Sequence, residues 1–498
     1  MTEAIRYILI VLAVLLFVHV FWLALLLRQK KQSSKKNSSA YDQDYLIVYA
    51  SQSGNAAELA RQTAEKFNQF QISNRIVDLQ VLDVEELQHA KKVLWMVSTY
   101  GDGDAPDSAR IFIKNIMSKS LDLSQQKFAI LALGDRHYAH FCQFGIRLES
   151  WLTQNKAQSM FEMVRVDQLS SEDLATWKNH LEHEIDVSLA DFSDISSAPW
   201  SCLKLIEREC LNQGSQGNPL YRLRFSVPET LEWKSGDILE VQCANSFDRI
   251  QNFLSQYQKE IETLDSSFDL SVLKFKNLNL LPNRLAHETV LEWISRFEIL
   301  DDREYSISTI VSMGFLELVV RQEMTNGQLG LGSGWLTAYS EMGEEIQARI
   351  RTNPTFHFDD QIHPNIFIGN GSGIAGLKSH LHQCHKLDFN DNWLIYGERQ
   401  AEFDRGFVDQ LQTWKKQGTL TDLDLVYSRD GNQLKYVTDC LYEKQDQLKI
   451  WIERGAVIYV CGSLKGMAQD VDNALNEILG EKVVEQLMLE KRYLRDVY

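Results

Sequence analysis

Hydroxyl and amide side chains surround a glycine in a short loop near the start of the chain, directly after the apolar segment YLIVYA at 45–50. The loop consists of Ser51, Gln52, Ser53, Gly54, Asn55 and Ala56. At the entrance of a helix such a loop also offers backbone N–H groups and a favourable dipole. This chemistry suits the phosphate of a flavin mononucleotide (FMN). Neutral donors would hold that phosphate, because the loop contains no lysine or arginine.

A second set of motifs begins at residue 303 and ends with the last residue of the sequence. It comprises REYS at 303–306, GLGS at 330–333, GNGSGIAG at 369–376, YSRD at 427–430, YVCG at 459–462 and RDVY at 495–498. The segment 369–376 follows an apolar strand and opens a helix, which is typical of dinucleotide-binding loops. A mononucleotide site followed by a dinucleotide and nicotinamide site indicates a chain that moves electrons in sequence.

Strands and helices that would position the first loop alternate along the N-terminal half. A helix is predicted over 56–70, and apolar strands are predicted at 45–50, 91–100, 128–134 and 163–169. This alternation predicts a doubly wound parallel sheet, in which ligands bind at the carboxyl ends of the strands. The loops at such ends are 51–56, 99–107 and 134–142.

The pattern changes after the segment 188–201, whose composition is typical of a linker between domains. Strands such as 221–227 and 236–243 predict a small antiparallel barrel. Residues 245–300 indicate a helical insertion into that barrel. Alternation of strands and helices returns from Asn365 onwards.

Composition limits the classes of partner and of metal chemistry. The net charge of −17 argues against nucleic acid, because phosphate backbones need basic patches. An acidic surface would suit a basic protein partner, although acidity that only maintains solubility explains the charge equally well. The seven cysteines form no C-x-x-C pair, which predicts no metal and a reducing compartment.

The N-terminus predicts a membrane anchor. Residues 7–27 carry no charge and are long enough to span a hydrocarbon core of about 30 Å. Basic residues are concentrated after this segment, so the positive-inside rule places the C-terminal side in the cytoplasm. We therefore expect a single-pass protein of the inner (cell) membrane, with the membrane as a partner and the catalytic domains in the cytoplasm.

The second and third loops of the first domain place tyrosines beside glycines, where two rings could sandwich a flat cofactor. SQSGNA, STYGDGDAPDSA and LGDRHYAHFCQFG resemble the FMN domain of the diflavin reductases, which include the sulfite reductase flavoprotein and the NADPH–cytochrome reductases. The resemblance implies that the loop 51–56 holds the phosphate and that Tyr100 and Tyr138 flank the isoalloxazine. It also implies that the site is lined by Gly101, Gly134, Phe141, Gln143 and Asp167.

The second set of motifs resembles the FAD-binding barrel and NADP-binding domain of the ferredoxin-reductase superfamily. The residues assigned to FAD are Arg303, Tyr305, Ser306, Gly330, Leu331, Gly332 and Ser333. Those assigned to NADPH are Gly371, Ser372, Gly373, Ser428, Arg429, Lys435 and Tyr436. Arginine binds phosphate bidentately, so Arg429 with Ser428 could recognise a 2′-phosphate.

Three further residues match the family's trio around the path of the hydride, namely Ser306, Cys461 and Asp496. A hydroxyl, a thiol and a carboxylate can orient a nicotinamide ring and stabilise developing charge. By the same resemblance, Tyr498 is the aromatic residue that covers the flavin face and moves to admit nicotinamide.

The sequence departs from the family at three places. The segment 245–302 is shorter than the family's connecting insertion, and IAGLK replaces the usual proline and phenylalanine after the alanine. Lys435 also lies one position later than the family's lysine, while Tyr436 is in register. In an extended segment, a shift of one residue would turn the lysine to the other face.

These features together predict an α/β multidomain protein with the following parts: a transmembrane anchor at 7–27, a linker at 28–43, a flavodoxin-like FMN domain at 44–187, a linker at 188–200, an FAD-binding barrel at 201–352 and an NADP-binding domain at 353–498. The expected function is an NADPH-dependent diflavin reductase that delivers electrons to an acceptor protein, such as a haem protein or a sulfite-reductase-type partner. Two alternatives are a reductase of ferric chelates, quinones or other small acceptors, and a flavin-binding sensor or scaffold with little turnover.

Overall fold

The computed structural model describes residues 43–498 apart from residues 102, 137, 191, 193–198, 258–269 and 326. The described chain divides into two compact units: the first comprises residues up to 51 together with 55–195, and the second comprises residues 52–54 together with 196–498. Each unit is built around its own parallel sheet, and the second also contains an antiparallel sheet.

The predicted location in the inner membrane is wrong. In the part of the chain that the structure describes, no helix combines the length and the apolar character needed to cross a bilayer. The segment 7–27, on which the prediction of an anchor depended, lies outside the described residues.

The first unit contains a parallel sheet in which β1 (Tyr45–Ala50) lies between β2 (Asn74–Asp78) and β3 (Lys92–Ser98). Next to β3 runs β4 (Lys127–Gly134), which pairs with both β5 (Gln158–Ser159) and β6 (Val164–Asp167). All these pairings are parallel, so the carboxyl ends of the strands meet at one edge of the sheet.

Helices cover both faces of this sheet. One face carries α1 (Asn55–Gln69) and the other carries α2 (Val84–His89). The remaining helices of the unit are α3 (Arg110–Phe112), α4 (Gln143–Gln154) and α5 (Ser171–Ile185). Neighbouring residues of β1 are buried on opposite faces, which explains why its sequence is an unbroken apolar run.

The antiparallel sheet of the second unit closes on itself. Its strands are β7 (Ser201–Cys210), β8 (Leu220–Ser226), β9 (Ile238–Val241), β10 (Arg303–Ser306), β11 (Leu316–Arg321) and β14 (Glu345–Arg351), in the order β10-β9-β14-β7-β8-β11. A bridge between Ile307 and Leu318 connects the two outer strands, as in a barrel. The short strands β12 (Met324–Thr325) and β13 (Gln328–Leu329) form a separate hairpin that leads to α8 (Leu331–Gly334).

A helical insertion separates β9 from β10. It contains α6 (Phe247–Gln256), a 3₁₀ segment (Leu270–Phe275) and α7 (Val290–Ser295). Its small core is aromatic, since the rings of Phe253, Trp293 and Phe297 lie in mutual contact.

The parallel sheet of the second unit has the order β17-β16-β15-β18-β19. Its strands are β15 (Asn365–Asn370), β16 (Asn392–Glu398), β17 (Asp422–Tyr427), β18 (Val457–Gly462) and β19 (Tyr493–Val497). The accompanying helices are α9 (Ile374–Leu387), α10 (Val408–Gln417), α11 (Val437–Glu443), α12 (Gln445–Glu453), α13 (Gln469–Leu479) and α14 (Glu481–Leu489). Separate apolar cores lie on the two faces of this sheet.

A buried ion pair connects the barrel to this second sheet. Lys378 on α9 pairs with Glu317 on β11, and their side chains are only 4% and 1% exposed. Arg224 Nε also donates to Glu317 at 2.8 Å, and the Ser308 hydroxyl donates at 2.9 Å. Burial by itself would raise the pKa of Glu317, but these partners outweigh it and hold the pKa below its ordinary value.

We predict that Lys378→Met destabilises the protein by about 3–5 kcal/mol, because it leaves a buried carboxylate without its closest cation. Glu317→Gln serves as the partner variant, since glutamine retains an acceptor for Ser308. The double variant should lose less than the sum of the two single losses, because neither charge is then left unpaired. Urea titrations of the three variants measure these differences, and strictly additive losses would contradict the coupling.

Candidate functional site

The loop after β1 offers a compact set of neutral donors. Ser51 is buried, and its Oγ accepts a hydrogen bond from the Ala56 N–H at 3.2 Å. Gly54 has a φ of +88°, a backbone conformation that favours glycine. Gln52, Ser53 and Asn55 remain partly exposed, and α1 begins at Asn55. Hydroxyls, amides and the first N–H groups of a 15-residue helix therefore lie together, a donor set that fits a phosphate group.

The second loop lies at the carboxyl end of β3. The Tyr100 N–H donates to Asp104 O at 2.7 Å and Tyr100 O accepts from the Asp104 N–H at 2.8 Å, which closes the loop over Gly101. Thr99 Oγ1 accepts from the Phe144 N–H at 3.2 Å and so connects this loop to the start of α4.

The third loop lies at the carboxyl end of β4, next to the second. A Cβ added to Gly134 would lie 3.0 Å from the Phe141 ring, so the two residues are in contact. Tyr138 is 50% exposed, as a ring that stacks on a ligand would be before binding. Asp167, at the end of β6, accepts from the Arg136 N–H at 2.9 Å.

The structure thus brings the predicted residues of the first site to one edge of the sheet. They lie at the carboxyl ends of the adjacent strands β1, β3, β4 and β6 or at the starts of the helices that follow.

In the second unit, the REYS strand lies directly against the GLGS loop. A Cβ added to Gly332 would come within 2.6 Å of Arg303 Cγ and 2.7 Å of Tyr305 Oη, so only glycine fits there. The loop starts at Gly330, continues through Leu331 and is fixed by Ser333, whose buried Oγ accepts from the Glu323 N–H at 3.0 Å. A guanidinium, a phenol ring and a glycine loop in contact fit a flavin with its diphosphate.

Ser306 lies on the opposite side of β10 and joins a second set of partners. Its hydroxyl donates to Asp496 Oδ2 at 2.6 Å, and the Cys461 thiol donates to the same oxygen at 3.7 Å. Asn353 Nδ2 approaches Asp496 Oδ1 at 3.5 Å. The predicted trio is therefore assembled on one carboxylate, from a barrel strand and from two adjacent strands of the parallel sheet.

Burial governs the ionisation of this trio. Asp496 is 7% exposed, and burial raises its pKa above the ordinary value even though Ser306 and the positive charge of Arg351 act to lower it. Burial, followed by the nearby Asp496, raises the pKa of Cys461 well above its ordinary value. Cys461 therefore remains a thiol at neutral pH and can act as a donor.

The glycine loop before α9 fits closely against β18. A Cβ on Gly373 would lie 2.1 Å from Cys461 O, and one on Gly369 would lie 2.7 Å from the same atom. Ser372, between them and partly exposed, accepts a hydrogen bond from the Tyr498 hydroxyl at 2.9 Å. Tyr498 is anchored beside β18, because its N–H donates to Gly462 O at 3.1 Å.

The residues predicted to contact a 2′-phosphate lie at the carboxyl end of β17 and just beyond it. Main-chain bonds from Ser428 N to Glu398 O at 2.9 Å and from Arg429 N to Arg399 O at 2.8 Å hold this turn. The Arg429 side chain is exposed. Lys435 and Tyr436 are also exposed, and both of their N–H groups donate to Asp439 Oδ2 at the start of α11.

Two residues next to the predicted site carried no motif in the sequence. Asn353 contacts Asp496 from the segment after β14. Arg321, the last residue of β11, lies against the glycine loop, with its Nη2 3.0 Å from the position of a Cβ on Gly371. A charged residue at the end of an apolar strand is common, so no pattern distinguished Arg321.

No group of three or more His, Cys, Asp or Glu side chains suited to a metal ion occurs among the described residues. The expectation that the chain holds no metal stays a prediction.

Comparison with known proteins gives two domain matches. Residues 47–177 match the Flavodoxin family model, and residues 367–473 match the model described as Oxidoreductase NAD-binding domain. These matches confirm the predicted flavodoxin-like sheet and the predicted nucleotide-binding α/β domain.

Similar curated proteins extend across nearly the whole chain. The sulfite reductase [NADPH] flavoprotein alpha-component of Buchnera aphidicola subsp. Acyrthosiphon pisum is 25% identical over 91% of this chain and 89% of its own length. The protein of the same name from Vibrio vulnificus is 25% identical over 91% of this chain and 87% of its length. That from Vibrio cholerae is 26% identical over 94% and 89%.

We predict that Asp496→Asn raises the thermal unfolding temperature by a few degrees at neutral pH. Since the pKa of Asp496 is raised in the folded chain, ionising this carboxyl opposes folding as pH rises through the range between its unfolded and folded pKa values, and the penalty is complete above that range. Asparagine avoids the penalty and can still accept from Ser306. Thermal unfolding curves from acidic to neutral pH measure the effect, and a variant that is less stable than the native chain at neutral pH would contradict it.

Proposed function

We propose that the chain is an NADPH-dependent oxidoreductase of the diflavin reductase family that relays electrons through FAD and FMN to an acceptor protein, a proposal supported by its two domain matches and its similar curated proteins. The observation that carries this proposal is the convergence of Ser306 and Cys461 on the buried carboxylate of Asp496. When bound, NADPH supplies a hydride, FAD accepts it, and FMN releases electrons one at a time.

The first unit holds FMN in this proposal. Ser51, Ser53, Asn55 and the first N–H groups of α1 bind the phosphate, with Gln52, Gly54 and Ala56 completing the loop. Tyr100 and Tyr138 flank the ring. Gly101, Gly134, Phe141, Gln143 and Asp167 border it. Support comes from the placement of all these residues at one edge of a parallel sheet, where ligands of such folds bind.

The barrel holds FAD. Arg303 and the loop from Gly330 to Ser333 bind its diphosphate, and Tyr305 stacks on its ring. Gly332 is essential to this arrangement, because any side chain there would displace Arg303 and Tyr305. The assignment is tested by measuring how much FAD the purified protein contains and how well the protein retains it.

The parallel sheet of the second unit holds NADPH. Gly371, Ser372 and Gly373 receive its diphosphate, and Ser428, Arg429, Lys435 and Tyr436 bind its 2′-phosphate end. Exposure of the Arg429 side chain leaves its guanidinium accessible for bidentate contact with a phosphate.

The trio orients the nicotinamide end. Asp496 accepts from both Ser306 and Cys461, which fixes the directions of the hydroxyl and the thiol before any ligand arrives. Fixed dipoles need no reorganisation when charge develops, and that is how they lower a barrier. Tyr498 follows Asp496 by two residues and extends from Gly462 to Ser372, so it covers the approach to the trio.

The acceptor in this proposal is a haem protein or a sulfite-reductase-type partner. The chain carries a net charge of −17, which would steer a basic partner protein by long-range attraction. The alternative acceptors are small molecules such as ferric chelates and quinones. Rates of reduction of these molecules and of haem proteins therefore distinguish the two kinds of acceptor.

We predict that the flavin-loaded protein, supplied with NADPH, reduces a basic haem protein at a rate that falls as salt is added, because salt screens attraction between charged surfaces. Anaerobic assays over a range of ionic strength measure this dependence, with a neutral quinone as the control. Fast reduction of the quinone and ferric chelates, with no turnover of haem proteins, would favour the small-acceptor function. Failure to oxidise NADPH with both flavins bound would contradict the reductase itself.

We also predict that Arg429→Ala lowers kcat/KM for NADPH by roughly 10- to 150-fold, the value of a charge-assisted phosphate contact, and leaves NADH nearly unaffected. Lys435→Ala is the comparison variant, since it removes the second exposed cation assigned to the same end of the nucleotide. Steady-state kinetics with NADPH and with NADH give the ratio of the two kcat/KM values. An unchanged ratio in Arg429→Ala, with a changed ratio in Lys435→Ala, would transfer the 2′-phosphate contact to the lysine.

A further inference from the structure

The two oxygens of the Asp496 carboxylate have different partners. Oδ2 accepts from the Ser306 hydroxyl at 2.6 Å and from the Cys461 thiol at 3.7 Å. Oδ1 instead faces Asn353 Nδ2 at 3.5 Å, at the upper limit of a hydrogen bond. A carboxylate that is held at only one oxygen can rotate about its last bond, which would turn Oδ2 away from one of its donors. Asn353 therefore restricts the direction in which Oδ2 points.

Contacts at both ends of Asn353 fix the orientation of its amide. The residue is buried, and its Oδ1 accepts a hydrogen bond from the Thr355 hydroxyl at 3.0 Å. Its main-chain N–H donates to Asp237 Oδ1, also at 3.0 Å. Because the amide oxygen is occupied by a hydroxyl donor, the NH₂ group is the end that faces Asp496. Asn353 thus presents a donor to the buried carboxylate.

Asp237, the residue before β9, holds both sides of this site. Its carboxylate is buried, and His357 Nε2 lies 2.6 Å from the same oxygen that accepts from Asn353. Its main-chain oxygen accepts from the Ile307 N–H at 3.2 Å. Ile307 directly follows Ser306 in the chain. One buried aspartate therefore fixes the backbone that carries the Ser306 hydroxyl and the backbone that carries the Asn353 amide.

The Asn353 amide also affects the charge of Asp496. Burial raises the pKa of Asp496, and Asn353 is one of the neighbours that act against burial. The other charged and titratable groups that face Asp496 are Glu304 on β10, Arg351 on β14, Cys461 on β18 and Tyr498, two residues further along the chain. A donor on Oδ1 favours the ionised carboxylate, which can accept from a hydroxyl and a thiol at once.

We propose that Asn353 is a positioning residue for the nicotinamide site, where its amide keeps Asp496 ionised and directs Oδ2 toward Ser306 and Cys461. This inference rests on the proposed function, because it requires NADPH to deliver its hydride beside this trio. Positive charge develops on a nicotinamide as its hydride leaves, and an ionised carboxylate close by stabilises that charge. Asn353 acts through Asp496 and needs no contact with the nucleotide.

Two substitutions separate the amide donor from the space that it fills. Asn353→Leu and Asn353→Ala both remove the donor and keep the main-chain N–H that bonds to Asp237. Leucine branches at the same carbon as asparagine and fills the space, whereas alanine leaves a cavity. Asn245→Ala is the matched control, because Asn245 is another buried asparagine of the second unit. Its amide donates instead to the carbonyls of Leu273 and Lys276.

The first measurement is the rate at which NADPH bleaches the FAD absorbance of the full, flavin-loaded protein, without oxygen and over a range of pH. In both Asn353 variants the half-maximal point on the acid side should lie about 0.4–1 pH unit higher, the equivalent of one hydrogen bond. Below that point the rate should fall by roughly 2.5- to 10-fold. The Kd of NADP⁺ above it should change by no more than about twofold, because the proposed phosphate contacts are intact. Asn245→Ala should leave the position of the curve unchanged.

The second measurement is thermal unfolding over the same range of pH, without NADPH. Since folding raises the pKa of Asp496, stability falls as pH rises from the unfolded to the folded pKa. Asn353→Leu removes a group that lowers the folded pKa, so this fall should be larger and should end at a higher pH. In an Asp496→Asn background, Asn353→Leu should leave the pH dependence unchanged, because the carboxyl that it acts on is absent.

A rate curve that keeps its position in Asn353→Leu would overturn the inference. A shifted curve in Asn353→Ala alone would also overturn it, since the cavity would then be the cause. The same is true if Asn353→Leu alters the pH dependence of unfolding equally with and without Asp496. Failure of NADPH to bleach FAD in the native, flavin-loaded protein would contradict the proposed function and the inference with it. Normal bleaching in the native protein, with unmoved curves in both variants, would reject only the role of Asn353.

Discussion

The close approach of the segment 369–376 to the backbone of β18 is the constraint on which the second unit depends. Gly369 and Gly373 both lie so near Cys461 O that a single added carbon would collide with it. Because the start of α9 can therefore rest directly on β18, the ends of β18 and β19 stay beside the barrel, and Cys461 and Asp496 come within reach of Ser306. The arrangement of these three side chains thus depends on the absence of side chains at a few positions.

The barrel and the parallel sheet are also held together by charge. Lys378, one turn into α9, is buried against Glu317 on the barrel. Both side chains are almost fully buried, so a shift of one sheet against the other would leave a buried charge without its partner, and the pair therefore fixes one relative position of the two sheets. Exact placement matters here, because hydride transfer tolerates little error in distance and orientation. Arg321, from the same barrel strand as Glu317, uses that fixed position to reach the glycine loop.

Much of this architecture could be predicted from the sequence, because the central strands of both parallel sheets are buried on two faces and appear as largely apolar runs. The strand Asn74–Asp78 escaped prediction, since it lies at the edge of its sheet and its sequence, NRIVD, is largely polar. The trio could be identified only because its motifs resemble those of the reductase family. Ser306 and Asp496 are 190 residues apart, so no local sequence pattern indicates that they meet. Asn353 and Arg321 could not be found at all, because their roles follow from tertiary contacts rather than from neighbours in sequence. The predicted domain boundaries and the individual site residues stay predictions.

The central claim is that Ser306, Cys461 and Asp496 form the place where nicotinamide meets the flavin. Anaerobic stopped-flow mixing of the flavin-loaded protein with NADPH tests it most directly, because bleaching of FAD absorbance reports the first transfer without any acceptor. We expect Ser306→Ala to slow this bleaching by about 10²-fold, the loss typical of removing one preorganised donor, with little change in the affinity for NADP⁺. Bleaching at the native rate in a Ser306→Ala protein that retains its FAD would contradict the account.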